Sequence, residues 1–408
     1  MNYQESIDWL YGTQTFGIKL GLDNVNRLIS ELGLVERMAG RKVIHVAGTN
    51  GKGSVCAFSD RILRDADVKT GLFTSPHLVT FRERIQISGE MIPEEAVASG
   101  LTQIRDLIND WDPHPTFFEL TLILALQHFC ADTTEVIILE TGMGGRLDAT
   151  NAIEPSVSVI TSIGLDHQEW LGDTIREIAA EKAGILKPNV PVIVADIHPE
   201  ARDVIGRKAL TLGIPYIEAH PLPDDWKMGL PGPHQKENAT LAVEAVCRVE
   251  DERLTRDGIR ESLAKTTWRG RFQIINDRIV LDGAHNPDAA EVLAKTWGDE
   301  FPDEKATLIF GAAEGKDVAA VFEFLLPLIE SVIFVPIQSE RRLSPDAMKA
   351  AFLEAGGTET DVATAETLTE ALTLAGKNEN KTLVAGSLFL IGEALSLIEN
   401  GDFEVSLQ

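Results

Sequence analysis

The sequence predicts an α/β protein of two bodies, a larger one built on a mostly parallel sheet and a smaller one that follows it. Three observations carry this. Short apolar runs rich in Val and Ile alternate with longer helical patterns. The runs KVIHVA at 42–47 and VIILE at 136–140 are almost continuously apolar, as strands are when both faces of a parallel sheet are covered. The alternation then starts afresh near residue 278.

In chain order, strands are expected at 42–47, 70–74, 136–140, 157–161 and 192–195, with helices at 52–66, 93–109, 118–131 and 174–185. The last helix opens with Thr174 and Glu177, a capping-box pair. The second series has strands at 278–281, 307–310, 332–335 and 382–385. Between the series, TTWRGRFQIIND at 266–277 mixes Gly and polar residues and reads as a hinge. The boundary is placed near residue 272, giving domains 1–272 and 273–408. Ligands of open α/β sheets sit beyond the carboxyl ends of strands, so a cleft between the two domains is the expected active site.

Composition narrows the partners. The chain has 408 residues, 44% of them hydrophobic, with a net charge of −26 and a pI of about 4.7. So acidic a surface repels nucleic acid and anionic lipid. Anionic substrates would need local cations, dipoles or metal. The three cysteines, Cys56, Cys130 and Cys247, form no CxxC pair and no disulfide framework. The opening MNYQESIDWLYG lacks a leader-like apolar run, and no stretch of 18 apolar residues occurs. A cytoplasmic location without membrane partners is expected.

After KVIHVA comes Gly48-Thr49-Asn50-Gly51-Lys52-Gly53-Ser54 and then a helical pattern. Strand, Gly-rich turn, lysine, hydroxyl and helix together make a phosphate cradle, with Lys52 reaching terminal phosphates. The general GxxxxGK[ST] pattern is met imperfectly: Val46 stands at its first glycine, and Ser54 is displaced by one. The plain alternative is a Gly-rich turn without a ligand.

Three other dense segments follow predicted strands and should open at the same sheet edge: Thr74-Ser75-Pro76-His77-Leu78, Glu140 to Asn151 (ETGMGGRLDATN), and Thr161 to His167 (TSIGLDH). Glu181-Lys182-Ala183-Gly184 is a fourth. Glu140 ends an apolar strand, where a carboxylate is costly unless paired or metal-bound. Mg²⁺ takes few protein oxygens besides substrate phosphates, and Glu140 with the Ser75 hydroxyl fits that role. Singly, each has an ordinary alternative: a turn serine, a surface strand end, a helix-capping His167, a solvated Lys182.

GTNGKGS resembles the ATP-dependent amide ligases that include Mur ligases and folylpolyglutamate synthases, and Gly after Lys looks like the folate branch. GIKLGLDN (17–24), ERIQISGEMI (83–92), TFFELT (116–121), LGDTIREIAAEKAGILKP (171–188), HQKENA (234–239), LDGAHNP (281–287) and GSLFLIGE (386–393) extend the resemblance across most of the chain in family order. It implies a P-loop-containing, Mur-ligase-like ATPase domain and a smaller Rossmann-like C-terminal α/β domain. It also implies an ATP- and Mg²⁺-dependent ligase joining L-glutamate to dihydropteroate, reduced folates or both. Asn50, Gly51, Lys52, Gly53 and Ser54 would hold ATP phosphates. Asn238, Arg271 and Asp282 would also touch ATP. Ser75 and Glu140 would bind one Mg²⁺ and His167 a second, with a carbamylated Lys182 as oxygen donor. Lys52, His167 and Lys182 would be catalytic. Thr116, Phe117, Phe118, Glu119, Leu147, Asp148 and Ala149 match pterin-binding segments. His285 has two readings, orienting substrate or ending a strand. A monomer is the family expectation.

Departures from the family pattern are Trp268-Arg269-Gly270-Arg271 in place of Pro-Gly-Arg, Gly315 for Asp, and Phe389 for Tyr. The first leaves Arg269 and Arg271 as alternatives for the phosphate contact. A Mur-type peptidoglycan ligase and a non-catalytic ATP-binding relative are the rival functions. TSPHL, TFFE and GGRLDATN oppose the first, and the intact Lys52, Glu140, His167 and Lys182 oppose the second.

Overall fold

The structure, a computed structural model, describes residues 1–16, 21–339, 341–399, 401 and 403–404. Of the segment GIKLGLDN, residues 17–20 therefore lie outside the described residues. The chain forms two compact units that are not contiguous in sequence. The first comprises residues 1–75, 82–228 and 236–266, and the second comprises 76–81, 229–235 and 267–408.

In the first unit the strands are β1 (Lys42–Ala47), β2 (Thr70–Phe73), β3 (Ile85–Ile87), β4 (Glu90–Met91), β5 (Val136–Glu140), β6 (Val157–Ile160), β7 (Val192–Val194) and β8 (Tyr216–Glu218). They order β4-β3-β2-β5-β1-β6-β7-β8. All neighbours from β2 to β8 run parallel, and β3 and β4 add an antiparallel edge. The mostly parallel sheet follows from the apolar runs: every residue of β5 and all but Lys42 of β1 are buried. Register sets Val46 opposite Glu140 and Ala47 opposite Ile160. The carboxyl ends of β2, β5, β1 and β6 thus form one edge.

Helices begin where side-chain caps dictate. Thr174 accepts Glu177 N while its own N donates to Glu177 Oε2, starting the helix Ile175–Lys182. The expected helix at 174–185 ends its α-turns at Lys182 and tightens to 3-10 geometry over Ala183–Ile185. Thr116 and Glu119 make the same capping box for the helix Phe117–Ala131.

The second unit has β9 (Gln273–Ile275), β10 (Ile279–Leu281), β11 (Ala306–Phe310), β12 (Ile329–Phe334), β13 (Val362–Thr364) and β14 (Lys381–Ala385), ordered β13-β12-β11-β14-β10-β9. All pairs are parallel except β9 with β10. The stretch expected to be a hinge, 266–277, therefore carries the first strand and part of the turn of a hairpin. Its turn residues Asn276 (φ +44°) and Asp277 (φ +60°) both take the left-handed conformation that Asn and Asp tolerate. Among the described residues, the core of this unit includes two apolar clusters. One includes Leu78 and Val79, far away in sequence, among Leu281, Ile309, Val384, Leu390 and Ile391.

Candidate active site

The loop after β1 is stitched to the end of β6. Thr49 N donates to Ser162 O (2.7 Å), Asn50 N to Ser162 Oγ (3.0 Å), and Thr161 Oγ1 to Asn50 O (2.7 Å). Thr49 Oγ1 bonds both the carbonyl and the N–H of Gly164 (3.1 and 3.0 Å). The helix Lys52–Asp65 starts at the loop's lysine, with Gly51 as N-cap at φ +87°. Its first N–H groups therefore face the cradle, as an anion site requires. Gly53 and Ser54 are its second and third residues, and Ser54 is buried.

Two glycines are fixed by close neighbours. A Cβ at Gly51 would lie 2.5 Å from Asn238 Oδ1, so the predicted Asn238 does stand against the loop. A Cβ at Gly48 would lie 1.7 Å from Thr161 Oγ1. Gly48→Ala is expected to cost about 1–3 kcal/mol by overpacking. Urea titration should show a lower midpoint, and an unchanged midpoint would refute the tight approach.

Two cations meet on this loop. Lys52 Nζ donates to Gly48 O (3.0 Å) and Thr49 O (3.1 Å), and Lys182 Nζ donates to the same Gly48 O (2.8 Å). Lys182 is only 4% exposed. Burial first, then the Lys52 charge, lowers its pKa to about 7, with Asp166 and Asp148 opposing. Two lysine nitrogens sharing one carbonyl oxygen concentrate positive charge there, which an anion would relieve.

Glu140 supplies negative charge at the next strand end. It is 5% exposed, and its Oε2 accepts Ser75 N (3.0 Å). Cys56 on the neighbouring helix is held as a neutral thiol, its pKa pushed up by burial and then by Glu140. It is no nucleophile.

The loop after β5 turns on Asp148. Its Oδ2 accepts the N–H groups of Gly142 and Met143 (both 2.9 Å), and its Oδ1 accepts Thr150 N (3.0 Å) and the Thr150 hydroxyl. Burial raises its pKa while these bonds oppose the rise. Thr150 also meets the wholly buried His45 Nε2 (2.8 Å). Arg146 N donates to Glu181 O (2.8 Å), and Asn151 Nδ2 bonds the carbonyls of Arg146 and Gly184 (2.9 and 3.2 Å). The loop is thereby locked to the helix end that carries Lys182. Leu147 and Ala149 flank Asp148, Leu147 half-buried and Ala149 buried.

His167, at φ +50°, caps the helix Gln168–Leu171, with its side chain half-exposed and Nε2 3.8 Å from Asp166 Oδ2. The TFFE segment has a structural duty as well. Glu119 Oε2 accepts Thr116 N (2.7 Å) and Thr116 Oγ1 (2.8 Å). Phe117 stacks on Tyr11, and Phe118 packs near Phe73.

In the second unit, Asp282 accepts Phe272 N and Ala284 N (2.8 Å each). Burial raises its pKa, and Arg271 opposes the rise. His285 Nδ1 donates to Gly283 O (2.8 Å), which fixes its tautomer.

No three His, Cys, Asp or Glu side chains gather as a metal cluster among the described residues. At the sheet edge the Ser75 N bond sets one hydroxyl residue beside the buried Glu140 carboxylate, and oxygen donors so sparse would suit Mg²⁺.

Comparison with known proteins identifies the family. The Mur ligase middle domain matches residues 46–213, and the dihydrofolate synthetase C-terminal domain matches residues 272–397. The dihydrofolate synthase/folylpolyglutamate synthase of Bacillus subtilis is 34% identical over 372 residues, covering 83% of this chain and 86% of that protein. The chain belongs to the dihydrofolate synthase/folylpolyglutamate synthase family.

Members of this family are acid–amino-acid ligases. The E. coli FolC structure in complex with DHPP and ADP is 30% identical to this member, with a TM-score of 0.85 over 97% of this chain and 98% of that one. The bifunctional Yersinia pestis enzyme, complexed with AMPPNP and Mn ion, is 27% identical with a TM-score of 0.86, covering 98% of each. The Mur-ligase fold expected from sequence is therefore this member's fold. No helix among the described residues is long and apolar enough to cross a membrane.

The sequence pattern assigned no individual role to four contributors. Thr161 and Ser162 clamp the phosphate loop, and their position directly after an apolar strand was the available signal. Asn151 ties the β5 loop to Gly184, at the end of a segment that was noted only as a motif. His45 lies inside an apolar strand, where nothing in the pattern marks its link to Thr150.

Proposed function

We propose that this chain uses ATP and Mg²⁺ to join the amine of L-glutamate to a carboxylate of dihydropteroate, of reduced folates, or of both. The observation that carries the reading is the meeting of Lys52 and Lys182 on Gly48 O, at a helix N-terminus, one strand from buried Glu140. The relatives solved with ADP, AMPPNP, Mn ion and DHPP support it.

In this reading the acceptor carboxylate attacks the γ-phosphoryl group, forming a carboxyl–phosphate bond as the bond to ADP breaks. The glutamate amine then attacks the acyl carbon and loses a proton, and phosphate departs. Lys52 and the N–H groups at the start of its helix hold the phosphates in line, and Asn238 supports the loop and nucleotide. Thr116 to Glu119 and Leu147 to Ala149 frame the pterin. Ser75 and Glu140 would hold one Mg²⁺, and His167 with a carbamate on Lys182 a second, which would offset phosphate charge. The buried Lys182 amine supports carbamylation, since CO₂ adds to a neutral amine.

The test is glutamate-dependent phosphate release from ATP with Mg²⁺ and bicarbonate, comparing 7,8-dihydropteroate, tetrahydrofolate and no acceptor. Release with either acceptor is expected, and release with both would mark a bifunctional enzyme. ATP binding without acceptor-dependent release would overturn the reading, and release only with a UDP-sugar precursor would replace it with a Mur-type ligase.

A further inference from the structure

We infer that Glu404, close to the C-terminal end, is a positioning residue that fixes Ser75 by gripping the segment that follows it. The inference rests on the reading of Ser75 as a metal ligand.

Residues 76–81 leave the first unit directly after Ser75 and return to it at Arg82. Within the second unit Glu404 holds this excursion by four bonds. Its N–H donates to Val79 O (2.8 Å). Its Oε2 accepts Phe81 N (2.6 Å) and Thr80 Oγ1 (3.0 Å). Its backbone carbonyl accepts from His77 Nε2 (3.1 Å). Leu78 and Val79 are buried in the apolar cluster. A Cβ at Gly392 would lie 1.9 Å from Leu78 O and 3.0 Å from the Phe403 ring, so the backbone there is closely packed on both sides.

Ser75 is thus pinned from two directions. Its own N–H is on Glu140, and the segment from residue 77 to residue 81 is held through Glu404. Its hydroxyl gains a defined aim because little backbone freedom remains. One carboxylate supplies two of the four bonds, so its loss frees the strap without emptying the core.

The test compares full-length wild type, Glu404→Ala, Glu404→Gln and Ser75→Ala. The readouts are the Mg²⁺ concentration for half-maximal phosphate release, the KM for ATP, and the thermal midpoint. Glu404→Ala should raise the Mg²⁺ requirement about tenfold, as loss of a charge-assisted pair of hydrogen bonds implies, with the thermal midpoint little changed. Glu404→Gln should fall between, because its amide oxygen still accepts Phe81 N. Thr80→Val, which removes one donor to Oε2, serves as a second variant should Glu404→Ala fold poorly. Wild-type Mg²⁺ dependence in Glu404→Ala would overturn the inference. So would a uniform loss of rate at every Mg²⁺ concentration with a lowered midpoint. Ser75→Ala separates the two layers: if it leaves Mg²⁺ dependence untouched, the metal reading of Ser75 itself fails. If Ser75→Ala shifts that dependence and Glu404→Ala does not, only the positioning role fails.

Discussion

Glu140→Gln is expected to cut glutamate-dependent phosphate release by about 10²–10³-fold, the usual cost of removing one preorganised electrostatic group, while the fold stands. The reason is the difference between the two side chains. A glutamine keeps the shape and an oxygen that can still accept Ser75 N at the position now 3.0 Å away. It loses only the negative charge, which is what a divalent cation needs from a buried strand end. The neighbouring Cys56 reports on the same change. Its thiol is pushed up by burial and then by Glu140, so its pKa should fall in the variant while burial still holds it above the ordinary thiol value. Near-normal turnover at saturating Mg²⁺, in a variant with native circular dichroism, would remove Glu140 from the metal reading. Glu140→Ala should be equally inactive but opens a void, so the glutamine variant is the more informative.

Lys182→Ala should lose activity to a similar or greater degree, about 10³-fold on the same grounds. The decisive observation is which small molecule restores it. A carbamate presents two oxygens on the end of the chain, so acetate or propionate should enter the cavity and return part of the rate, whereas methylamine should not. Rescue by methylamine alone would mean that the lysine acts as an ammonium group toward phosphate. The wild-type protein gives an independent check, because ¹³CO₂ should produce a carbamate carbon signal that Lys182→Ala lacks. The structure explains why this lysine is a special one. It is almost fully buried, it sits on the carbonyl that Lys52 already occupies, and its pKa is lowered to about 7.

Much of this architecture was readable from residues alone. KVIHVA and VIILE announce central parallel strands because both faces of each are covered, which leaves no polar alternation to mislead. The Thr174–Glu177 pair announces a helix start through local bonds that need no tertiary partner. What escaped had no local signature. The strands β3, β4 and β9, at or next to a sheet edge, are two or three residues long, too short for periodicity to register. The hairpin at β9 was signalled only by Asn276-Asp277, a weaker pair than one containing glycine. Among the candidate site residues, those on strand ends and the Gly-rich loop stand out in the sequence because their types are costly or unusual there. Glu119 was expected in a pterin-binding segment from resemblance alone, and its bonds to Thr116 show a capping duty that the resemblance did not mark. That Pro76 to Phe81 would pack with the second unit has no sequence signal at all.

That last feature bears on how the polypeptide comes to be folded as it is made. Chains emerge from the ribosome from the amino terminus, and domains generally fold as units as they appear. Leu78 and Val79 are synthesised long before Ile309, Val384 and Leu390, the residues that will surround them. The early unit must therefore complete its sheet around a greasy excursion that has no shelter yet. The late unit receives part of its interior from a stretch made long before the rest of it. A fragment beginning at Thr267 would lack that contribution, and would expose the apolar surface that Leu78 and Val79 cover. No single cut separates the two units of this enzyme, because the second draws residues 76–81 and 229–235 from within the first's span of sequence and does not complete its interior from residue 267 onward alone.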